Sequence, residues 1–226
     1  MTVPYSITTA PARTGVERAT LVRRTYGLVF IGIIVTMLGA AFALMQPSLL
    51  VQSAQHPFIG FLAFFAPLFL AQRWHREFPR NIALTLLAMF VCGVWIAPIL
   101  YYYNQTQPGV VGQAGLLTFA TFGGLSLYAT FSRRDFSAWG GFFFVGLLVL
   151  IVTSLLNLFF RNPTASLWLA GGTVLVFGGL LVFDTWRIVR TNQYGPEDYV
   201  LAAVSIFVDL LNLFLAILTL LGGRRK

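Results

Sequence analysis

The chain has 226 residues, of which 58% are hydrophobic and only 10% are charged, and its formal net charge is +8. Soluble domains contain roughly 25% charged residues, so this composition excludes a soluble globular protein. The basic residues lie in short loops between apolar segments, which is typical of membrane topology, and we expect no nucleic-acid partner. The single cysteine, Cys92, excludes an intramolecular disulfide and a cysteine-rich zinc site.

Seven apolar segments approach the roughly 20 residues that cross the 30 Å of a bilayer core. We predict one membrane domain at residues 25–226, preceded by a flexible basic cytoplasmic tail at residues 1–24. The second segment is the shortest and contains Pro67. In chain order, the predicted spans are Tyr26–Met45, Pro57–Gln72, Asn81–Tyr103, Val110–Phe131, Ala138–Phe160, Ser166–Trp186 and Tyr199–Leu221.

The distribution of arginine predicts the orientation of these spans. If all seven cross, the amino-terminal tail and the second, fourth and sixth loops share one side and contain eleven arginines, against one in the opposite loops. The positive-inside rule therefore predicts a cytoplasmic amino terminus. The terminal Arg224, Arg225 and Lys226 break that rule, so either they are tolerated after a fully crossing last helix, which we favour, or the last segment is re-entrant. Arginine outnumbers lysine 14 to 1, which suggests a bacterial protein of the plasma (inner) membrane.

Two aspartates lie inside apolar segments, Asp184 in GGLLVFDTWRIVR and Asp209 in SIFVDLLNLF. An aspartate at a helix centre costs about 2.5–3.5 kcal/mol on insertion, so such residues usually face a bundle interior or water. The helical rise places Asp184 roughly 5 Å and Asp209 about 15 Å inside the cytoplasmic boundary. Asp184 is therefore either an interfacial acid beside Arg187 or part of a site. Asp209 is too deep for that explanation, and Asn212 on its face indicates either a helix-packing contact or a polar pathway.

Two carboxylates at short range cannot both ionise cheaply, so they would share a proton if they met. Such a pair would be a pH-sensitive di-aspartyl latch. The spacing along the chain leaves their contact open, because their estimated depths differ by roughly 10 Å.

Three motifs resemble the Bax inhibitor-1 family, also called the transmembrane Bax-inhibitor-motif or YccA-like family. They are FDTWRIV at 183–189, EDYVLAAVSIFVDLLNLF at 197–214 and APILYYY at 97–103, and the similarity extends over nearly the whole chain. The resemblance implies an all-α, polytopic membrane protein, a bundle of seven transmembrane helices with the last helix central. It also implies that Asp184 and Asp209 share a proton that holds a pore closed, and that their titration opens a calcium leak.

The resemblance further implies an arginine at the cytoplasmic end of the second span that interacts with the aspartates, for which Arg73 is the first candidate and Arg76 the second. Calcium would be the transported ion, bound transiently by Asp184 and Asp209 with water or backbone carbonyls, and no cofactor is expected. The lipid bilayer is the other expected partner.

Two alternatives concern other classes of protein. The resemblance includes members that restrain a membrane-bound ATP-dependent protease or suppress cell death, so the chain could be an interaction protein that uses residues 1–24. Paired aspartates on membrane helices also occur in intramembrane aspartyl proteases, which carry Gly-x-Gly-Asp and Pro-Ala-Leu motifs. Here Ser-Ile-Phe-Val precedes Asp209 and Pro-Ala-Leu is absent. His56, His75 and Cys92 show no catalytic arrangement, and we expect no enzyme activity.

Overall fold

The computed structural model describes residues 14–74, 77–160 and 162–223, and all the regular secondary structure within these ranges is helical. The predicted all-α polytopic membrane fold is confirmed. The helices are α1 (Gly15–Leu44), α2 (Pro47–Gln55), α3 (Pro57–Arg73), α4 (Arg80–Thr106), α5 (Val110–Phe131), α6 (Trp139–Phe160), α7 (Pro163–Arg190) and α8 (Tyr199–Gly223).

Six of these helices are long and apolar enough to cross a membrane, namely α1 and α4 to α8. The short helices α2 and α3 meet at an angle of 94° and together provide up to a seventh span. Helix α2 lies where we predicted only a break between spans. Proline is favoured in the first turn of a helix, where its missing N–H costs nothing, and Pro47 and Pro57 begin α2 and α3 in this way.

Several helices extend further than the apolar segments predicted, α1 and α7 by the most residues. The hydroxyl of Thr14 accepts a hydrogen bond from the Glu17 N–H at 3.3 Å, and the Glu17 carboxylate accepts one from the Thr14 N–H at 2.9 Å. This capping box starts α1 at Gly15, ten residues before the predicted start of the membrane domain at residue 25. Residues 1–13 lie outside the described residues. Helix α7 continues to Arg190, four residues beyond its predicted end.

Helices α1 and α4 pack with their backbones in close contact. A Cβ atom added at Gly39 would collide with the carbonyl oxygen of Phe90, and one added at Gly93 would collide with the carbonyl oxygen of Thr36. The Thr36 hydroxyl donates to the carbonyl oxygen of Gly32 at 2.8 Å and lies 3.0 Å from that of Met89 on α4. Small residues permit this approach, as is usual between membrane helices.

Helix α8 occupies the centre of the bundle, as predicted. It packs against α1, α4, α5 and α7, and 56% of the residues in its apolar window are buried, against 6% for α6. Ala202, Ala203 and Ile206 are fully buried in a hydrophobic cluster with Leu21 of α1 and Leu181 of α7. The apolar surface of α6 faces outward, where it contacts the lipid bilayer. A polar group on the inner faces of α8 is therefore surrounded by protein.

Candidate functional site

Asp184 lies on α7, six residues before the helix ends, and only 7% of the residue is exposed. Its Oδ1 accepts a hydrogen bond from Nη1 of Arg187 at 3.0 Å, forming an ion pair. Residues three positions apart share a helix face, which explains why this pair forms within α7. The side chain of Ser205 on α8 is a further polar neighbour of the Asp184 carboxylate.

Asp209 lies on α8, ten residues after its first residue, and is 4% exposed. Among the described residues, its Oδ2 has no hydrogen-bond partner. Phe207, Leu210 and Leu213 of the same helix are buried in three separate hydrophobic clusters, so the carboxyl lies in the apolar centre of the bundle. Nothing in this neighbourhood provides a donor or a cation to Oδ2 within the described residues.

The two carboxyls lie close enough for Asp184 to act electrostatically on Asp209. Because α7 continues to Arg190, Asp184 lies about 9 Å from its helix end and Asp209 about 15 Å from its own. The difference in depth is smaller than the roughly 10 Å expected from sequence. Among the described hydrogen bonds, none joins the two carboxyls directly, and Asp184 is instead bonded to Arg187.

Arg187 makes three further contacts, all of which the sequence analysis missed. Its Nε donates to Oε1 of Gln193 at 2.8 Å, and its guanidinium carbon lies 5.4 Å from the ring centroid of Phe183 and 5.1 Å from that of Tyr194. Gln193 and Tyr194 belong to the α7–α8 loop, residues 191–198. The spacing Asp-x-x-Arg was the only sequence signal for this arrangement.

Tyr194 joins the loop to the interior of the bundle. It packs against the cluster that contains Leu21, Leu181 and Val200, and burial raises the pKa of its phenol. Its other neighbours include the Ser205 side chain and the charges of Arg187, Asp184 and Asp198. Ser205 is thus a polar neighbour of both Tyr194 and Asp184.

A second polar region lies at the other end of α8. A cavity of about 540 Å³ is lined by residues of α4, α6, α7, α8 and the α4–α5 loop. Gln107 donates from Nε2 to the carbonyl oxygen of Gly222 at 2.6 Å, while its buried Oε1 lacks a partner among the described residues. Thr219, which also lines the cavity, is ten residues from Asp209, or about 15 Å along α8. The buried Leu213 and Leu218 lie between the two regions.

The sequence model of a family described as "Inhibitor of apoptosis-promoting Bax1" matches residues 18–226. The chain belongs to the Bax inhibitor-1 family. It is 31% identical over 210 residues to an uncharacterized protein of Campylobacter jejuni, covering 91% of this chain and 89% of that protein. It is 30% identical over 214 residues to protein lifeguard 4 of Mus musculus, covering 92% and 87% of the two chains. A Golgi anti-apoptotic protein of vaccinia virus is 36% identical over 153 residues, or 67% of this chain and 62% of the viral protein.

The sequence resemblance implied that an arginine at the cytoplasmic end of the second span, Arg73 or else Arg76, interacts with the aspartates. Arg73 is exposed at the end of α3, a helix that packs mainly against α4 and α2. In the described part of the chain it forms no ion pair with Asp184 or Asp209, and the cation beside Asp184 is Arg187. Arg76 lies outside the described residues. A role for either arginine in the latch stays a prediction.

Two other predicted features of the site concern Asn212 and calcium. The Asn212 amide donates to the carbonyl oxygen of Val208 at 2.8 Å, so it is satisfied within its own helix, and its part in a pathway stays a prediction. The described residues contain no group of three or more His, Cys, Asp or Glu side chains that could hold a metal. Calcium takes six to eight oxygen ligands. Two carboxylates supply too few for tight binding, and transient calcium coordination by Asp184 and Asp209 stays a prediction.

Proposed function

We propose that this Bax inhibitor-1 family protein is a pH-sensitive calcium leak channel, gated by a proton shared between Asp184 and Asp209. One observation carries the proposal: Asp209, 4% exposed on the central helix, has an Oδ2 without a hydrogen-bond partner among the described residues and is electrostatically coupled to Asp184. An isolated ionised carboxylate is very costly in an apolar interior, whereas a protonated one is tolerated. The closed state therefore holds a proton on the pair.

Loss of that proton changes both the structure and the chemistry of the site. Two negative charges at short range in a low dielectric repel strongly, which pushes α7 and α8 apart at their loop end. The same ionisation creates carboxylate oxygens that, with water, form a weak calcium site from which the ion is readily released. Protonation removes the cation site and closes the pathway in one step.

The opposite end of the pathway is the cavity beside Gln107 and Thr219. Between this cavity and Asp209, the buried Leu213 and Leu218 form an apolar layer. Hydrophobic constrictions block ions when they are dry. Opening thus requires this layer to hydrate when α8 moves relative to its neighbours.

Calcium flux into proteoliposomes, measured from pH 6 to pH 8, tests this function. The wild-type flux is expected to rise with pH, and Asp209→Asn is expected to abolish that dependence because its amide does not titrate. Asp135→Asn is the matched control, since Asp135 is exposed in the α5–α6 loop and its Oδ1 accepts a hydrogen bond from the nearby backbone N–H of Ser137 at 2.8 Å. An Asp209→Asn protein that leaks with the wild-type pH dependence would exclude proton sharing.

A second candidate function is that of a membrane interaction protein that regulates a membrane-bound protease or a cell-death or stress response. The relative named as a Golgi anti-apoptotic protein favours it. A pull-down should compare the full chain with a deletion of residues 1–13, because residues from Gly15 onward belong to α1 and Leu21 is part of the core. Partner capture that depends on residues 1–13, together with absent calcium flux, would favour this function over the channel.

The location and the absence of catalysis are parts of the same proposal. We expect the protein in a bacterial inner membrane with its amino terminus, and hence the α7–α8 loop, on the cytoplasmic side. Reporter fusions to the two termini test this orientation, because a fully crossing α8 puts them on opposite sides. A peptide-cleavage assay on the purified protein is expected to show no proteolysis.

A further inference from the structure

We propose that Arg187 is a tethered cation that blocks the cytoplasmic end of the aspartate pair, and that Gln193 and Tyr194 hold it in place. This inference rests on the proposed channel function and identifies the residues that close the cytoplasmic end of that channel. We call the five residues of this arrangement the Arg187 clamp, namely Phe183, Asp184, Arg187, Gln193 and Tyr194.

The Arg187 guanidinium has two hydrogen-bond partners and two aromatic neighbours. Nη1 donates to Asp184 and Nε donates to Gln193, while Phe183 and Tyr194 provide aromatic rings within 6 Å. A planar guanidinium suits this combination of two directed hydrogen bonds and ring contacts, whereas a lysine ammonium does not. The side chain of Arg187 is 27% exposed, which places it at the boundary between the buried carboxylates and the loop.

Hydrogen bonds within the α7–α8 loop hold Gln193 and Tyr194 next to the end of α7. The Thr191 hydroxyl donates to the carbonyl oxygen of Arg187 at 2.8 Å, and the Gln193 N–H donates to that hydroxyl at 3.3 Å. A turn closes the loop where the Gly195 N–H donates to Oδ2 of Asp198 at 2.8 Å. The loop therefore positions the clamp as a unit and is not merely a connection between helices.

The amino-terminal part of α1 fixes the same loop from the other side. Arg24 lies 3.9 Å from the carboxylate of Glu197 and 5.5 Å from the ring centroid of Tyr199. The Tyr26 hydroxyl is hydrogen-bonded to that of Thr185 at 2.9 Å, one residue from Asp184. The loop that carries Gln193 and Tyr194 is thus in contact with α1, and α1 also contacts α7 and α8 next to it.

The clamp opposes cation passage in two ways. The guanidinium occupies an oxygen of Asp184 that a passing cation would need, and its positive charge repels a divalent ion that approaches Asp209. Among the described residues, Asp184 on its own helix and Tyr194 in the loop lie beside the guanidinium. Asp209 on α8 acts on Asp184, and Asp198 in the loop acts on Tyr194. In this chain, the blocking arginine comes from the same helix as the first aspartate, and the loop is the part that must move.

Calcium flux at pH 6, where the wild-type channel is closed, tests the block directly. Arg187→Gln is expected to raise this flux about ten-fold or more, because it removes a charge-assisted hydrogen bond that holds the closed state. Tyr194→Ala is expected to raise it about two- to five-fold through loss of one cation–π contact, whereas Tyr194→Phe keeps the ring and the low flux. Arg133→Gln removes the same charge from an exposed loop residue and is expected to leave the flux unchanged.

Arg187→Lys separates the charge from the geometry. It keeps the positive charge but loses the second hydrogen bond and the planar ring contacts, so an intermediate flux at pH 6 is expected. A wild-type flux in Arg187→Lys together with an unchanged flux in Tyr194→Ala would show that the loop does not hold the cation. Either variant also keeps the proposal testable if Arg187→Gln does not fold.

Thiol accessibility tests the clamp without relying on ion flux. With Cys92→Ala removing the native cysteine, Ser205→Cys introduces a thiol beside Asp184 and Tyr194. A cationic thiol reagent is expected to modify this position several-fold faster when Arg187→Gln or Tyr194→Ala is added. Faster labelling without calcium flux at any pH would support the clamp and refute the channel. The clamp would be refuted, and the channel retained, if calcium flux depends on pH but these variants change neither the labelling rate nor the flux at pH 6.

Discussion

Replacing Asp209 with leucine is expected to make the folded protein more stable. The carboxyl is 4% exposed, its Oδ2 has no hydrogen-bond partner within the described residues, and neighbouring α8 side chains are buried in hydrophobic clusters. Leucine branches at the same atom as aspartate and has no polar group. Removing an unsatisfied buried polar group in this way relieves its desolvation penalty.

The size of the effect follows from that penalty, which is about 1–3 kcal/mol for an unpartnered buried polar group. For a chain of this length, about 2–4 °C of Tm corresponds to each kcal/mol, so Asp209→Leu is expected to raise Tm by about 2–12 °C. Thermal unfolding of the purified protein in detergent, followed by the fluorescence of its five tryptophans, measures the shift at a fixed pH.

Asp184→Leu is the matched comparison and is expected to shift Tm in the opposite direction. It deletes the carboxylate that accepts from Arg187 at 3.0 Å and leaves the guanidinium without its ion-pair partner. Because the Arg187 side chain is 27% exposed, water compensates in part, and a loss of about 1 kcal/mol is expected. A lower Tm for Asp209→Leu, or a higher Tm for Asp184→Leu, would refute the contrast between a partnered and an unpartnered aspartate.

Three smaller perturbations test other parts of the fold. Gly93→Ala forces a methyl group into the Thr36 carbonyl, so it is expected to destabilise the fold by about 1–3 kcal/mol and to lower Tm. Gly115→Ala is the control, because a Cβ at Gly115 meets open space, and it is expected to keep or raise Tm. Thr14→Ala removes the N-cap of α1 at a cost of about 0.5–2 kcal/mol, which is expected to speed amide hydrogen exchange in its first turn. Burial raises the pKa of the Tyr194 phenol above its ordinary value of 10.0. The neutral phenol therefore stabilises the folded protein fully below pH 10, and this stabilisation is lost as the pH rises through the pKa of the folded state. Tyr194→Phe is expected to remove that decline of Tm at alkaline pH.

Hydropathy predicted the spans well because a bilayer requires roughly 20 apolar residues per crossing, and this requirement leaves a long, uniform signal in the sequence. It did not predict where the helices begin and end. A helix continues into water wherever a cap or tertiary packing supports it, as at Thr14 for α1 and Arg190 for α7. Helix α2 has only nine residues and lies between two prolines, so its sequence is similar to that of a loop.

The two aspartates of the candidate site could be identified from the sequence because acidic residues are rare inside apolar segments. Asp184 and Asp209 are the only acidic residues inside apolar segments. Because burying an ionised carboxylate in a membrane is energetically costly, both stood out as candidate site residues. Gln193 and Tyr194 could not be identified in the same way, because they lie in a loop whose path depends on tertiary contacts. Arg187 was visible as a neighbour at i+3, but its ring contacts require the loop to fold back over α7.

The two aspartates differ in a respect that decides where the proposed proton resides. Asp184 has a guanidinium within hydrogen-bond distance, which stabilises its ionised form, whereas Oδ2 of Asp209 has no donor among the described residues. In the proposed closed state the shared proton is therefore held mainly by Asp209, and its loss creates a second negative charge next to an Asp184 that is already bonded to Arg187. Competition between the two carboxylates for one guanidinium would couple the titration of Asp209 to the opening of the Arg187 clamp. Under this proposal, a change of one proton in the centre of the bundle would move the loop at its end.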